Sequence, residues 1–239
     1  MNQKRTTRSS KKNDVSTGTV RDLPSIALPT PKFDRGETFF AALKKRKTVR
    51  AIQDKKLPLQ VLSNLLWAAC GVNRKNGPFG VPGRTAASAS NSQEIDLYVA
   101  MSEGIHLYAV ASHKLIPVVG GDLRALAISP GQMGAGANAP IRLIYVVDVD
   151  KFSKAGFQEP GLYDPEVQKS YYYVDTGFIA GNVYLFASSQ GLATWFHNCD
   201  RLALAKKLNL QSNQRVLFGQ TVGYPGERRG SKGRQRIHL

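Results

Sequence analysis

Apolar residues recur at three- and four-residue spacing in several stretches of the chain, and this spacing predicts amphipathic helices. Pro58 opens the clearest of them, because proline suits the first turn of a helix, and Gly71 ends it. The longest stretch is apolar on several sides, so we expect it to lie centrally or to pack against a second subunit. The predicted helices are Thr38–Lys47, Pro58–Gly71, a short one within residues 122–134, Val167–Gln190, and one from the cap residue Asp200 to Leu208.

Alternating or continuous apolar residues bounded by turn residues predict strands elsewhere in the chain. Two of these runs flank the turn Ser112–Lys114 and predict a hairpin, and Ile141–Asp148 is β-branched and predicts a buried strand. Helices and strands mix without strict alternation, which favours an α+β fold. Lys151–Pro165 is rich in Gly, Pro and aromatic residues and is expected to be a surface excursion or lid. The predicted strands are Ile95–Ala100, Ile105–Val110, Leu115–Val119, Ile141–Asp148, Leu192–Phe196 and Arg215–Val222.

The segment Gly83–Ala100, with the sequence GRTAASASNSQEIDLYVA, is the most informative for function. Small residues from Ala86 to Ser90 permit close approach, and Asn91 and Gln93 supply hydrogen-bond donors and acceptors. A loop of this kind before a strand can lie against a flat ring and bind its edge, which suits a planar cofactor better than a metal. The alternative is an ordinary turn, since loops rich in Ser and Ala are common before strands.

A second candidate is the basic run Arg46–Arg50, which offers three cations and the hydroxyl of Thr48. Arginine guanidinium groups match phosphate oxygens two at a time, and threonine donates a further hydrogen bond. The alternative is a basic helix end that is stabilised by the helix dipole.

The chain has 239 residues and a net charge of +16, which raises the possibility of nucleic-acid binding. Half of that charge lies in residues 1–22 and 226–239, and neither end interleaves aromatic residues with its cations. We therefore expect solvated tails, with residues 1–22 disordered, and no specific nucleic acid. No stretch of 18 apolar residues predicts a membrane span, and the first residues lack the apolar core of a secretory signal. Cys70 and Cys199 are expected to be buried thiols in a reducing cytoplasm.

Sequence motifs for hydrolytic or metal chemistry are missing from the chain. It contains no GxxxxGK[ST] phosphate loop and no GxSxG elbow, and no Ser/His/Asp set can be assembled. Its histidines have no metal-ligand spacing, so no metal is expected. Any demanding chemistry would then depend on a bound cofactor. The histidines are His106, His113, His197 and His238.

Four segments together resemble the FMN-dependent nitroreductase family, in particular the branch that includes thiazoline oxidases. The resemblance covers residues 24–225 and implies a three-layer α+β fold, with a mixed, mostly antiparallel central sheet flanked by helices, in an intertwined homodimer. It divides the chain into a basic tail (1–22), an FMN-binding domain (23–225) and a basic extension (226–239). The segments are LLWAACGVNR (Leu65–Arg74), GRTAASASNSQEIDLYVA (Gly83–Ala100), YVDTGFIAGNVYLFASSQGLATWFH (Tyr173–His197) and QTVGYP (Gln220–Pro225).

The resemblance implies roles for residues in both candidate segments. Arg46 and Thr48, with Lys47 between them, fall where the family holds the FMN phosphate, and Arg50 falls where a basic residue reaches the N1/O2 edge of the flavin. The small-residue loop would come from the neighbouring subunit and cover the flavin. Two departures from the family are Ala87, where proline is common, and Ala89, where a second serine often stands. The loop residues in question are Ser88, Ala89 and Asn91.

Later parts of the chain complete the implied site. Gln132 matches an Asn or Gln that bonds the pyrimidine end of the flavin ring. The run Phe196–Asn198 falls where a backbone N–H meets flavin N5, so the Phe196 and His197 side chains are expected to form a pocket wall and no side chain is expected to act as catalyst. The implied phosphate contacts of the C-terminus are Lys232 and Arg234, with Arg228 and Arg229 as the alternative pair. Asn198 is among the implied cofactor-binding residues.

The implied function is an FMN oxidoreductase that uses NADH or NADPH to reduce a small acceptor, such as a nitroaromatic or a quinone, by ping-pong kinetics. Two alternatives stay open. An FMN-dependent dehydrogenase or oxidase would act on a peptide-derived or other small substrate. A non-enzymatic protein would bind nucleic acid through its two basic ends.

Overall fold

A seven-stranded sheet forms the centre of the protein in a computed structural model that describes residues 23–33, 36–132 and 139–226. Its strand order is β1-β6-β5-β4-β7-β9-β8, and every neighbouring pair is antiparallel. A separate pair, β2 and β3, forms a small antiparallel sheet. The strands are β1 (Ile26–Ala27), β2 (Val72–Arg74), β3 (Gly83–Arg84), β4 (Ile95–Ala100), β5 (Gly104–Ala109), β6 (Lys114–Gly120), β7 (Ile141–Asp148), β8 (Ala193–His197) and β9 (Gln214–Gly223).

Four α-helices are present among the described residues, and polar side chains cap the first turn of three of them. Thr38, Asp164 and Asp200 each accept a hydrogen bond from a backbone N–H of the first turn that has no partner within the helix. The other helix begins after Pro58 and ends at Gly71, as its sequence predicts. The helices are α1 (Phe39–Lys45), α2 (Leu59–Cys70), α3 (Pro165–Ser189) and α4 (Arg201–Lys207).

The two faces of the sheet pack against different helices, which gives the molecule three layers. On β4, Leu97 and Val99 belong to the cluster that contains the apolar sides of α2 and α3. Tyr98 and Ala100 belong to the opposite cluster, together with Leu204 of α4. Because side chains alternate between the faces of a strand, a strand with both sets buried lies in the middle of the molecule. The structure thus confirms the predicted α+β architecture.

Two predicted segments differ from the structure. Residues 122–132 contain 3₁₀ turns at Arg124–Ala127 and Pro130–Gln132 in place of the short helix expected before a break at Pro130–Gly131, because the backbone is already extended at Ile128. The expected surface excursion after β7 is anchored: it forms 3₁₀ turns whose Phe152 and Leu162 side chains are fully buried in the core. Its apolar residues hold it against the domain.

Candidate functional site

The basic run Arg46–Arg50 follows α1 directly and lies beside β8. Arg46 caps the C-terminal end of the helix, and the Val49 N–H donates to the carbonyl of Thr194 at 3.0 Å. Val49 packs against the apolar cluster that contains Trp195, while the side chains of residues 46–48 and 50 are exposed. The backbone therefore fixes the run in place and leaves its polar groups open to a ligand.

Arg46 and Arg50 lie over aromatic rings. The Arg46 Cζ atom is 5.5 Å from the centroid of the Tyr184 ring, and the Arg50 Cζ atom is 5.4 Å from that of Trp195. Within residues 23–33, 36–132 and 139–226, no carboxylate forms an ion pair with Arg46, Lys47 or Arg50. Aromatic faces orient a guanidinium without neutralising it, so these cations remain available to an anion.

Tyr184 connects this run to β8. Its hydroxyl lies 3.1 Å from Thr48 Oγ1 and accepts a hydrogen bond from the backbone N–H of Phe196 at 3.0 Å. This role could not be predicted from the sequence, because a tyrosine within an apolar helical stripe has the pattern of a core residue. Its place beside Thr48 depends on how α3 packs in the folded protein.

The small-residue loop is held by α3 at a different place. The Ala89 N–H donates to Asp175 Oδ2 at 3.0 Å, and Ser88 Oγ accepts from the Gln93 N–H at 3.0 Å. Ser90, Asn91 and Gln93 have φ angles of +49°, +57° and +55°, a region that residues with a side chain rarely adopt. Strained backbone of this kind clusters at ligand-binding segments.

Within one chain the structure does not bring the loop and the basic run together. The loop is anchored at Asp175 and the run at Tyr184. The two anchors are nine positions apart in the helix, which corresponds to about 14 Å along α3. A cavity of about 660 Å³ lies elsewhere, beside Leu57, Met101 and Arg124, and none of the predicted FMN-binding residues line it. A site built from both segments would require the loop of a second copy.

Comparison with known proteins decides the family. Residues 43–224 match the Nitroreductase family, which is most of the chain. The chain belongs to the nitroreductase family. This membership indicates a flavin-dependent oxidoreductase.

Two nitroreductase relatives and one assembly component show the breadth of the likeness. A candidate nitroreductase of Methanocaldococcus jannaschii is 29% identical over 157 residues, which cover 63% of this chain and 73% of the relative. The crystal structure of a candidate nitroreductase from Ralstonia eutropha shares 28% identity with a TM-score of 0.74 and covers 92% of this chain and 97% of the other. A chain of the E. coli microcin synthetase McbBCD complex, solved with truncated pro-MccB17 bound, shares the fold at 17% identity and a TM-score of 0.63, over 95% of this chain and 79% of that one.

Other predicted residues of this nitroreductase lie near the end of β8. Ser129 donates its N–H to the Asn198 carbonyl at 3.1 Å and its hydroxyl to Gln132 Oε1 at 2.8 Å. The turn that carries Gln132 is thereby attached to the segment after His197. The exposed Asn198 side chain accepts a hydrogen bond from Arg201 at 3.1 Å. The predicted phosphate contacts Lys232 and Arg234 lie outside the described residues.

His197 is only 4% exposed, and both of its ring nitrogens are bonded inside the protein. Nδ1 lies 2.8 Å from the Asn198 carbonyl and Nε2 lies 2.7 Å from Thr221 Oγ1. A carbonyl only accepts, so we assign the ring proton to Nδ1. Burial lowers the pKa of His197 to about 4, so the ring is neutral at pH 7. An imidazole bonded in this way orders the end of β8 and is not free to exchange a proton with a substrate.

The described residues offer no metal site: no three His, Cys, Asp or Glu side chains among them are grouped so that they could hold an ion. In the same part of the chain, no helix is long and apolar enough to span a membrane. Cys70 and Cys199 are buried free thiols, as predicted, and burial raises the pKa of each to about 11.

Proposed function

We propose that the protein binds FMN between two copies of the chain and uses NADH or NADPH to reduce a small acceptor such as a nitroaromatic or a quinone. The observation that carries the proposal is the exposed run Arg46–Arg50, whose arginines are oriented by aromatic rings and have no carboxylate partner among the described residues. Such a run fits a phosphate dianion.

The hydrogen-bond chain through Tyr184 supports a phosphate at Thr48. Because the Tyr184 oxygen accepts from the Phe196 N–H, its own hydrogen can be donated to Thr48 Oγ1. The Thr48 hydrogen is then free for a phosphate oxygen, beside the Arg46 guanidinium. Lys47 adds positive charge to the same place, and Lys232 and Arg234 are proposed to bind the phosphate from the C-terminal side.

Bound FMN would supply hydride transfer at its N5 atom, first from the nicotinamide and then to the acceptor. The residues of the chain would hold the ring and stabilise its charge. Arg50 would place a fixed cation at the N1/O2 edge, where negative charge develops on reduction. Gln132 would bond the pyrimidine end. Since the Phe196 N–H already donates to Tyr184, the backbone N–H that reaches N5 would come from His197 or Asn198.

A second copy of the chain would complete the site. Tyr173, Val174 and Phe178 of α3 are exposed large apolar side chains, and a Cβ atom added at Gly177 or Gly181 would meet nothing within 4 Å. A partner could approach this face closely and bury it, as obligate interfaces require. Its residues Ser88, Ala89 and Asn91 would then cover the flavin of the first copy. Buried free thiols fit a reducing compartment, and we place the dimer in the cytoplasm.

Titration with FMN tests the proposal directly. The purified protein should bind FMN with a change in flavin fluorescence, and NADH or NADPH should bleach the bound flavin under argon. Arg46→Gln should weaken FMN binding at least about tenfold, because one charge-assisted hydrogen bond contributes about 1.5–3 kcal/mol. Lys45→Gln is the matched control, since Lys45 is the preceding cation and pairs with Glu37.

The outcomes separate the alternatives. A protein that never binds FMN would refute the proposal. Binding without bleaching by either nicotinamide would favour a dehydrogenase or oxidase. Retention on DNA that survives removal of residues 1–20 would favour a nucleic-acid site in the folded domain.

A further inference from the structure

Two carboxyl groups meet in the core beneath the small-residue loop. Glu94, immediately before β4, is 0% exposed and Asp175 of α3 is 4% exposed. Glu94 Oε2 accepts from the Ser92 hydroxyl at 2.7 Å, and Asp175 Oδ2 accepts from the Ala89 N–H at 3.0 Å. The two carboxyls also line the same small cavity. Both residues therefore bind the segment that contains the loop.

In the described part of the chain no Lys or Arg forms a salt bridge with either carboxyl, although Arg84 lines the same small cavity. Among the neighbouring charges, Asp96 is paired with Lys151 at 2.6 Å, and Tyr171 donates its hydroxyl to Glu159 at 2.9 Å. A cavity of about 10 Å³ at the pair has room for at most one water. The groups that face the pair are Arg84 of β3 and Cys70 of α2, with the Ala86–Ser88 backbone above.

One shared proton would satisfy this arrangement. Glu94 Oε1 is buried and has no hydrogen-bond partner among the described residues, and Asp175 lines the same cavity. Burial and the charge of Glu94 raise the pKa of Asp175 to about 8. A protonated Asp175 can donate to Glu94 with one oxygen while the other accepts from the Ala89 N–H.

We propose that Glu94 and Asp175 share one proton and act together as a positioning pair that holds the Ser88–Asn91 turn closed. Only one part of this inference rests on the proposed function, namely that the Ser88–Asn91 turn covers the flavin. When the proton is lost, two adjacent carboxylates require water. The segment that covers them, residues 86–93, must then open to admit it. The closed loop would therefore be a property of the singly protonated pair.

The test uses the FMN-free protein. Infrared spectra should show the band of a protonated carboxylic acid at pH 6, and that band should disappear as the pH rises to 9. Hydrogen exchange of residues 86–93 should increase over the same range, relative to Asp175→Asn at each pH. The ionised fraction of a group with a pKa of about 8 rises about tenfold between pH 7 and 9, so we expect exchange to increase about tenfold.

Asp175→Asn should keep both hydrogen bonds of residue 175 but cannot lose a proton as the pH rises. Its amide can donate to Glu94 and accept from the Ala89 N–H. Glu94→Gln gives the same test from the other side should the first variant fail to fold. Asp96→Asn, which alters a carboxylate paired with lysine, should retain the wild-type pH dependence. Absence of the infrared band, or equal exchange in wild type and both pair variants at pH 9, would overturn the inference.

FMN binding separates this inference from the proposed function. If both hold, the FMN dissociation constant of the wild type should rise about tenfold from pH 7 to 9, in inverse proportion to the protonated fraction, and that of Asp175→Asn should not. If the loop opens as the pH rises but the protein never binds FMN, the proposed function is refuted and the positioning pair is not. FMN binding with the same pH dependence in wild type and Asp175→Asn would refute the positioning pair alone.

Discussion

The hydroxyl groups of Thr48 and Tyr184 lie 3.1 Å apart although 136 residues separate them in the chain. This contact ties the basic run after α1 to α3, and the bond from the Phe196 N–H to the same phenol ties both to β8. A single hydroxyl thus positions the three elements that would surround the FMN phosphate and the flavin edge. Its removal should therefore affect both FMN binding and the stability of the fold.

Tyr184→Phe should raise the FMN dissociation constant by about fivefold. The variant keeps the ring beneath Arg46 but loses the bond that orients Thr48, and such a bond contributes about 1 kcal/mol. The free energy of unfolding should fall by about 1–3 kcal/mol, because the partly buried Phe196 N–H loses its acceptor. Isothermal titration with FMN and urea denaturation measure the two effects.

Tyr163→Phe is the control, since its hydroxyl bonds Gln158 on the surface. It should leave FMN binding unchanged. Equal FMN affinity in Tyr184→Phe and wild type would show that Thr48 is oriented by other groups or does not contact the phosphate.

The sheet and the long helices could be predicted because their signals are local. Residues of α2 repeat at helical spacing, and β4 alternates, so each element is specified by its own sequence. The β2–β3 pair escaped prediction because strands of two and three residues carry too little pattern. The burial of Phe152 and Leu162 was missed for a different reason: it depends on how the segment after β7 folds back on the core.

The candidate site was predictable only in part for the same physical reason. A short run of cations predicts a phosphate-binding segment, and a short run of small residues predicts a segment that lies against a flat ring. Both runs can be read from the sequence. Tyr184 and the pair of Glu94 and Asp175 are not, because their roles arise from contacts between distant elements. A buried carboxyl in a helix looks the same in sequence as an exposed one.

Arg50→Gln should impair flavin reduction more than flavin binding. Its guanidinium lies over Trp195, away from the Tyr184 ring beneath Arg46, so the phosphate contacts should persist. Loss of the cation should lower the flavin reduction potential and slow reduction by NADH or NADPH by about tenfold or more. Spectroscopic redox titration and stopped-flow absorbance measure these changes. If the reduction potential is unchanged and FMN binding is weakened, Arg50 contacts the FMN phosphate and not the flavin edge.

His197 should make the protein less stable as the pH falls from 6.5 to 4. Burial lowers the pKa of this residue to about 4 in the folded protein, so the unfolded chain, with a pKa of 6.5, takes up the proton first. The free energy of unfolding should fall by up to about 3 kcal/mol across this interval. Asp175 acts in the opposite direction between pH 4 and 8, since its raised pKa lets the folded protein retain a proton.

The contribution of His197 is isolated by comparison with His197→Asn, which cannot titrate. The difference in unfolding free energy between the two proteins, measured by urea denaturation at several pH values, should shrink as the pH falls below 6.5. A difference that stays constant down to pH 4 would mean that the imidazole is not protected from protonation in the folded protein.

Gly181→Arg should separate folding from assembly. A Cβ atom added at this position meets nothing within 4 Å in one chain, and replacing glycine within a helix favours the helix by about 1 kcal/mol, so the protein should remain folded. A second copy that approaches α3 closely would collide with the arginine. We therefore expect sedimentation velocity to show a monomer, and we expect this monomer to have lost its bound FMN. Leu202→Arg, at an exposed position of α4, is the control and should stay dimeric and yellow. A dimeric Gly181→Arg that binds FMN normally would place the interface, and with it the loop that covers the flavin, on another face of the molecule.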